Sequence, residues 1–234
     1  MNAVATRPLD AARARDIARA FLPESRFGNR YHYFYTRAKL GSDPLYPGVC
    51  DALRGSTAPL LDLGCGLGLL AHALRADGID VPYRGVDNDR GKVSRAMAAA
   101  RGLPGVEFDR VDLAAEGFSL DSLGHRGSVA ILDVLQFIPP DAQDRTVDAA
   151  IAMLTPGARL VIRTGLEDSS TRSRVTRAVD VLSRLLGWMN AGPSRYPDAD
   201  ALRARFDGAG LESEFTPLYG NTPFNNWRVV ATKP

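Results

Sequence analysis

A glycine-rich turn is the strongest chemical signal in the sequence. Asp62 precedes Gly64, Gly66 and Gly68, with an apolar run of strand length before it and a helical pattern after it. Glycines let the backbone approach a ligand where a Cβ would clash, and the N-terminus of a helix offers free N–H groups. The pattern therefore predicts a cofactor-binding turn, to which Cys65 contributes mainly its backbone.

Further polar residues follow the next two apolar runs. Asp87 and Asn88 end the second run, 23 residues after Gly64, and Asp112 and Leu113 end the third. A spacing of about 20 residues is expected for an acid that binds ribose hydroxyls. Parallel strands end at the same edge of a sheet, so these residues are predicted to line one cleft. For Asp112, a plain helix N-cap is the alternative.

The elements that would position these residues alternate regularly from residue 58 onward. Strand-length runs alternate with helical stretches, which predicts βαβ units in an α/β fold with a doubly wound, mainly parallel sheet. Two later runs, separated by turn formers, predict a C-terminal hairpin with an antiparallel strand. The seven predicted strands are 59–63, 83–86, 106–111, 129–132, 159–163, 211–218 and 227–232.

The chain divides into two predicted parts. Residues 1–57 form a helical and aromatic cap, and residues 58–234 form the cofactor-binding core, with a helical insertion at about 168–197. The stretch 171–186 within that insertion has apolar residues at helical spacing, which fits either a lid over an apolar acceptor or a helix packed on its own sheet.

Over roughly residues 58–165 the chain resembles the class I S-adenosylmethionine-dependent methyltransferases. Asp62 and the three glycines match the first motif of that family. The resemblance implies a Rossmann-like sheet with strand order 3-2-1-4-5-7-6, the cofactor S-adenosyl-L-methionine and the product S-adenosyl-L-homocysteine. It also implies that Asp87 holds the ribose.

The same resemblance assigns roles to the remaining cleft residues. It implies that Asn88 lies beside the adenine, that Asp112 and the Leu113 backbone reach the adenine amino group, and that Asp133 lies beside the methionine moiety. A turn residue is the alternative for Asp133. Gln136, shortly after the fourth strand, is predicted to face the methyl acceptor.

Other functional classes remain open on the sequence alone. Gly66, Gly68 and Ala71 also fit the dinucleotide fingerprint, with Asp87 as the ribose acid, so an NAD(P)-dependent oxidoreductase is one alternative. A non-catalytic S-adenosylmethionine-binding protein is another. Three features favour the methyltransferase: the acid at position 62, the acid at position 112 and the terminal strands.

The aromatic stretch in the cap supplies the candidates for acceptor chemistry. His32 is the general-base candidate, with a histidine packed in the aromatic cluster as the alternative. Tyr31 and Tyr35 are predicted to form one wall of the acceptor pocket, and Arg37 to pair with the cofactor carboxylate. His72, with polar neighbours on its helix, is predicted to be a surface residue.

Composition limits the possible partners. The net charge of +2, from 29 Lys+Arg and 27 Asp+Glu, argues against a dedicated nucleic-acid binder. Two cysteines without paired-ligand spacing predict neither a disulfide scaffold nor a metal site. With no export signal and no apolar run long enough to span a membrane, we expect a cytoplasmic enzyme.

The acceptor class follows only by elimination. The absence of a base-methylation motif and of an appended nucleic-acid module favours a small-molecule acceptor. An aromatic or polyketide-like secondary metabolite is expected from a loose similarity to bacterial biosynthetic methyltransferases. The bias of 26 arginines against 3 lysines is typical of a GC-rich bacterial genome. The oligomeric state is left open.

Overall fold

A computed structural model describes residues 7–115, 117–166, 196–218 and 225–234. The predicted helix 171–186 and nearly all of the predicted insertion lie outside these residues. In the described part of the chain, none of the helices combines the length and the apolar character needed to cross a bilayer.

Three helices precede the sheet. They are α1 (Ala11–Ala18), which continues as a 3-10 turn to Phe21, α2 (Tyr31–Ser42) and α3 (Leu45–Leu53). Asp10 caps α1, because its carboxylate accepts the N–H groups of Ala12 and Arg13 at 3.0 and 2.9 Å. The aromatic stretch of the cap is therefore largely helical.

A seven-stranded sheet confirms the predicted fold class. The strand order is β3-β2-β1-β4-β5-β7-β6, and β7 runs antiparallel to both of its neighbours while β1 to β5 are parallel. The order and the terminal hairpin are those that the family resemblance implied. The strands are β1 (Leu60–Leu63), β2 (Tyr83–Asp87), β3 (Val106–Arg110), β4 (Ser128–Leu132), β5 (Arg159–Gly165), β6 (Glu212–Pro217) and β7 (Asn226–Thr232).

Helices cover both faces of the sheet. The other helices are α4 (Leu69–Ala76), α5 (Arg90–Ala99), α6 (Pro140–Met153) and α7 (Ala199–Gly208). The first five helices share one apolar cluster with one face of the strands, and α6 and α7 share a second cluster with the other face. The N-terminal helices therefore belong to the same core as α4, α5 and one face of β1 to β5.

The prediction that His72 is a surface residue is wrong. The side chain lies on α4 beneath the N-terminal segment, with a relative exposure of 6% and its ring centroid 5.2 Å from that of Phe21. Burial lowers the pKa of His72 to about 4, so the imidazole is neutral at physiological pH. The sequence of α4 has one apolar face, and His72 lies outside it. In the structure the N-terminal segment packs on that other face and buries His72.

Helix α2 lies along the carboxyl edge of the parallel strands. At its start, the charge of Arg95 on α5 acts on His32. At its end, Lys39 lies 3.9 Å from a carboxylate oxygen of Asp133, the residue that follows β4. The end of α2 therefore lies beside the loop that follows β4.

Candidate cofactor and active site

The glycine turn is anchored to the end of the neighbouring strand. The N–H groups of Gly64 and Cys65 both donate to the Val86 carbonyl oxygen, at 2.7 and 3.0 Å. Gly64, Gly66 and Gly68 have φ values of 77°, 57° and 71°, in the left-handed region that disfavours side chains. The backbone path therefore favours glycine at all three positions, whether or not a ligand is bound.

The space around the three glycines distinguishes their roles. A Cβ at Gly64 would overlap the side chain of Val134, and one at Gly68 would lie 2.5 Å from Phe108 Cζ. A Cβ at Gly66 would meet nothing within 4 Å. Gly64 and Gly68 therefore allow the turn to pack against the protein, whereas Gly66 borders open space in which a ligand can approach the backbone.

Asp87 couples this turn to the end of β2. Its Oδ2 accepts the Gly66 N–H at 2.9 Å and its Oδ1 accepts the Asp89 N–H at 2.9 Å. A carboxylate has about four acceptor positions, so each oxygen retains capacity for one more donor. The side chain is thus held rigidly, with lone pairs left for two adjacent hydroxyl groups.

Asp62 lies beneath the turn in a buried site. Its Oδ2 accepts the hydroxyl of Tyr83 at 2.5 Å, while its Oδ1 is enclosed and has no hydrogen-bond partner in the described part of the chain. Burial raises the pKa of Asp62 to about 7, despite the opposing Tyr83 hydrogen bond and with a smaller contribution from the charge of Asp87. This carboxyl group changes its charge near neutral pH.

The other predicted cofactor residues occupy the same edge of the sheet. Asn88 is exposed, and its carbonyl oxygen accepts a hydrogen bond from Arg110. Asp112 is exposed and its Oδ1 accepts the Ala114 N–H at 3.0 Å, so it caps a turn and keeps its Oδ2 outside that bond. Leu113 is half-buried against the core behind β3.

The side chain of Cys65 faces the sheet. A Cβ placed on Gly85 would lie 2.9 Å from both Cβ and Sγ of Cys65, so this side chain packs against β2. Burial raises the pKa of the Cys65 thiol, which keeps it protonated. The backbone of Cys65 is the part that serves the turn.

A cluster of four charged side chains was missed by sequence reasoning. Arg163 on β5 is buried and contacts Asp43 at 3.2 Å and Asp133 at hydrogen-bond distance, and Lys39 donates to Asp43 at 2.6 Å. The charges of Arg163 and Lys39 outweigh burial and lower the pKa of Asp43. The cluster joins the end of α2 to the ends of β4 and β5.

Asp133 belongs to this cluster rather than to an isolated turn. It has a positive φ of 59°, unusual for a side chain other than glycine, and its N–H donates to the Arg163 carbonyl oxygen at 2.8 Å. The next residue, Val134, contacts the glycine turn at Gly64. The cluster therefore fixes the part of the β4 loop that lies against the turn.

Arg37 lies on a different side of α2 from the residues that face this edge. It is exposed, and on a helix it points about 200° away from Lys39, two residues later. Lys39 is therefore the basic group that α2 brings to the cleft. A signal was present in the sequence, since Lys39 is four residues from Tyr35 and seven from His32, on one helical face.

Tyr46 was also missed. The residue is buried on α3. Burial raises the pKa of Tyr46, and the charges of Asp43, Asp133 and Asp62 add to this effect. The phenol is therefore a neutral hydrogen-bond donor surrounded by carboxylates.

The predicted acceptor residues are divided between the surface and the interior. Tyr31 and Tyr35 are exposed and stack with ring centroids 6.0 Å apart. His32 is half-buried, its Nδ1 has no hydrogen-bond partner in the described chain, and burial together with the charge of Arg95 lowers its pKa. Gln136 is buried, and its Oε1 accepts a hydrogen bond from Thr164 at 3.3 Å.

Comparison with known proteins identifies the family. A methyltransferase domain model matches residues 16–214. The ubiquinone biosynthesis O-methyltransferase of Xylella fastidiosa strain 9a5c is 33% identical over 109 residues, which are 47% of this chain and 42% of that protein. The chain thus spans less than half the length of the curated relatives it matches.

Solved structures share the fold at low sequence identity. The magnesium protoporphyrin IX methyltransferase of Synechocystis, with bound S-adenosylhomocysteine, has a TM-score of 0.56 at 18% identity, covering 94% of both chains. An O-methyltransferase family 2 protein from Planctomyces limnophilus, in complex with apigenin, has a TM-score of 0.58 at 19% identity, covering 93% of this chain and 65% of that one.

The family model covers far more than half of the sequence, and it includes the glycine turn and Asp87. The open approach to Gly66 and the held carboxylate of Asp87 fit a nucleoside-bearing cofactor. The chain belongs to the methyltransferase domain family, and it shares the fold of the solved methyltransferases.

Proposed function

We propose that the chain methylates a hydroxyl group of an aromatic or polyketide-like small molecule. The observation that carries this proposal is the stacked pair Tyr31 and Tyr35 on α2, the helix whose Lys39 lies beside Asp133 at the carboxyl edge of the sheet. Aromatic faces at such a position suit a flat acceptor. The O-methyltransferase name of the curated relatives and the flavone bound to a structural neighbour support the same class.

The residues around the turn would hold the cofactor for this reaction. Bound S-adenosylmethionine supplies a methyl group on a positively charged sulfur. Gly66 gives the backbone close access, Asp87 accepts hydrogen bonds from the ribose hydroxyls, and Asn88 and Asp112 face the adenine. The contribution of these residues is alignment of the methyl group with the acceptor oxygen.

Three side chains are proposed for the tail of the cofactor. Asp62 and Asp133 place carboxylate charge at the ends of β1 and β4, near the methionine moiety with its ammonium group. Lys39 lies beside Asp133 and is a better placed cation for the methionine carboxylate than Arg37, which lies on another side of α2.

His32 is the proposed base for a hydroxyl acceptor. Burial and the charge of Arg95 lower its pKa, which keeps the imidazole uncharged and able to accept a proton at neutral pH. Its Nδ1 has no partner in the described chain. Gln136 is proposed to face the acceptor, and its Oε1 accepts a hydrogen bond from Thr164.

The affinity for the cofactor is expected to rise about tenfold from pH 6 to pH 8. The pKa of Asp62 is about 7, and a nearby cationic ligand favours the ionised carboxylate, so binding below that pH requires loss of a proton. Calorimetric titrations across this range measure the effect.

The same raised pKa destabilises the ligand-free fold as pH rises from about 4 to 7, since the native carboxyl retains its proton where the unfolded one has lost it.

Two variants separate the pH dependence of affinity that is due to Asp62 from the pH dependence that is due to ionisation of the cofactor itself. Asp62→Asn should show only the pH dependence of the cofactor. Tyr83→Phe removes a hydrogen bond that lowers the pKa of Asp62, so it should move the midpoint to higher pH. A wild-type profile that coincides with that of Asp62→Asn would exclude Asp62 from cofactor binding.

The test of the proposed function is methyl transfer from isotopically labelled S-adenosylmethionine to defined acceptors. We expect labelled product from polycyclic phenols and none from the same compounds with the hydroxyl already methylated. Transfer only to amine or carbon acceptors would contradict the hydroxyl assignment. Cofactor binding without transfer to any small molecule or to a cell extract would favour a non-catalytic binding protein.

A further inference from the structure

Exposed apolar side chains are concentrated in one short segment of the cap. Six large apolar residues of the described chain are exposed, and five of them lie within residues 22–35. Phe27 is 95% exposed, far beyond the scattered surface apolar residues of an ordinary protein. We call these five the aromatic cap surface: Leu22, Phe27, Tyr31, Phe34 and Tyr35.

Helix geometry groups three of these side chains, and Phe27 lies in a tight turn just before the helix that carries them. Residues 31, 34 and 35 have the i, i+3, i+4 spacing that places them on one face of α2. The loop that carries Phe27 is closed by a hydrogen bond from the Gly28 N–H to the Ser25 carbonyl oxygen at 3.0 Å. The Asn29 side chain then caps the start of α2 by accepting the Tyr31 N–H at 2.8 Å.

The same part of the chain is strongly basic. Residues 7–43 contain eight Lys and Arg but four Asp and Glu, a formal charge of +4 against +2 for the whole protein. Arg26 and Arg30 are exposed beside the aromatic residues and form no ion pair with described residues. Arg19 differs, because it pairs with Asp16 at 3.0 Å.

This charge argues for an anionic partner. Residues 167–195 contain five arginines and three acidic residues, so their net charge has the same sign as the cap and would be repelled by it. A second copy of the basic cap would meet the same repulsion. An anionic lipid surface offers opposite charge for the arginines together with an interface that accommodates aromatic rings.

We propose that the aromatic cap surface docks the protein on an anionic lipid bilayer. Phe27 and Phe34 enter the interface between head groups and acyl chains, and Arg26 and Arg30 contact lipid phosphates. The inference rests on exposure and charge, and does not depend on which atom of the acceptor is methylated.

The test is cosedimentation of the full chain with vesicles. We expect binding to phosphatidylcholine vesicles that contain phosphatidylglycerol, and weakening of that binding at high salt. The double variant Phe27→Ser/Phe34→Ser should bind about tenfold more weakly. Arg26→Gln and Arg30→Gln should each weaken binding about fivefold.

Met97→Ser is the matched control, because Met97 is 54% exposed on α5, outside the aromatic cap surface. It should bind vesicles like the wild type, and all variants should retain their affinity for the cofactor. Absence of binding to anionic vesicles, equal binding to pure phosphatidylcholine, or full binding by the double phenylalanine variant would overturn the proposal. A wild-type dimer that the double variant converts to monomers, with no vesicle binding, would assign the surface to self-association instead.

Discussion

Replacing Gly66 by valine is expected to lower the affinity for S-adenosylmethionine on the order of a hundredfold, about 2.7 kcal/mol. A Cβ at this position meets no protein atom within 4 Å, so the valine side chain would occupy the space through which the cofactor approaches the backbone. It would also strain a φ of 57° and disturb the N–H bond to Asp87. Calorimetric titration with the cofactor measures the loss.

Gly78→Val is the control for backbone strain. Gly78 follows α4 with a φ of 76°, and a Cβ there also meets nothing within 4 Å. Each substitution should therefore cost about 1–2 kcal/mol of folding stability through the left-handed conformation. Equal melting temperatures with loss of affinity only in Gly66→Val are expected. Equal affinities in the two variants would mean that Gly66 serves the turn alone.

Asp87→Ala is expected to weaken cofactor binding by about a hundredfold or more. Hydrogen bonds to a charged group contribute about 1.5–3 kcal/mol, and this carboxylate is proposed to accept two from the ribose. The variant also releases the N–H groups of Gly66 and Asp89, so the turn loses part of its anchor. The dissociation constant of S-adenosylhomocysteine, which lacks the transferable methyl group, gives the effect without turnover.

Asp89→Ala separates local structure from ribose recognition. Asp89 caps α5 by accepting the N–H groups of Gly91 and Lys92 at 2.8 and 3.0 Å. Its loss should cost about 1 kcal/mol of stability, as for other N-caps, and leave cofactor affinity nearly unchanged. If Asp89→Ala reduced affinity as much as Asp87→Ala, the proposed ribose contact would be wrong.

The sheet was predictable because its signals are local and repeated. Apolar runs such as those around Leu61 and Ile131 are buried on both faces, and the turn formers between residues 219 and 226 separate the final two strands. The backbone of the glycine turn was predictable for the same reason, since three closely spaced glycines determine its path. The strand order came from the family resemblance.

The parts that were missed depend on contacts between distant segments. Arg163 and Asp43 lie 120 residues apart, and no spacing within either segment reveals that they pair. Burial of His72 required knowing that the N-terminal segment packs over α4. Arg37 and Lys39 are both basic residues in one stretch. The run of aromatic residues in that stretch obscured its helical form. Only the helix α2 shows which of the two reaches the cleft.

The central claim is that the turn around Gly66 binds S-adenosylmethionine. The most direct measurement is calorimetric titration of the wild-type chain and the Gly66→Val variant with S-adenosylmethionine and, separately, with NAD. The account predicts saturable one-to-one binding of S-adenosylmethionine to the wild type, its loss in the variant, and no binding of NAD to either. Binding of NAD in place of S-adenosylmethionine, or unchanged binding of S-adenosylmethionine by the variant, would contradict it.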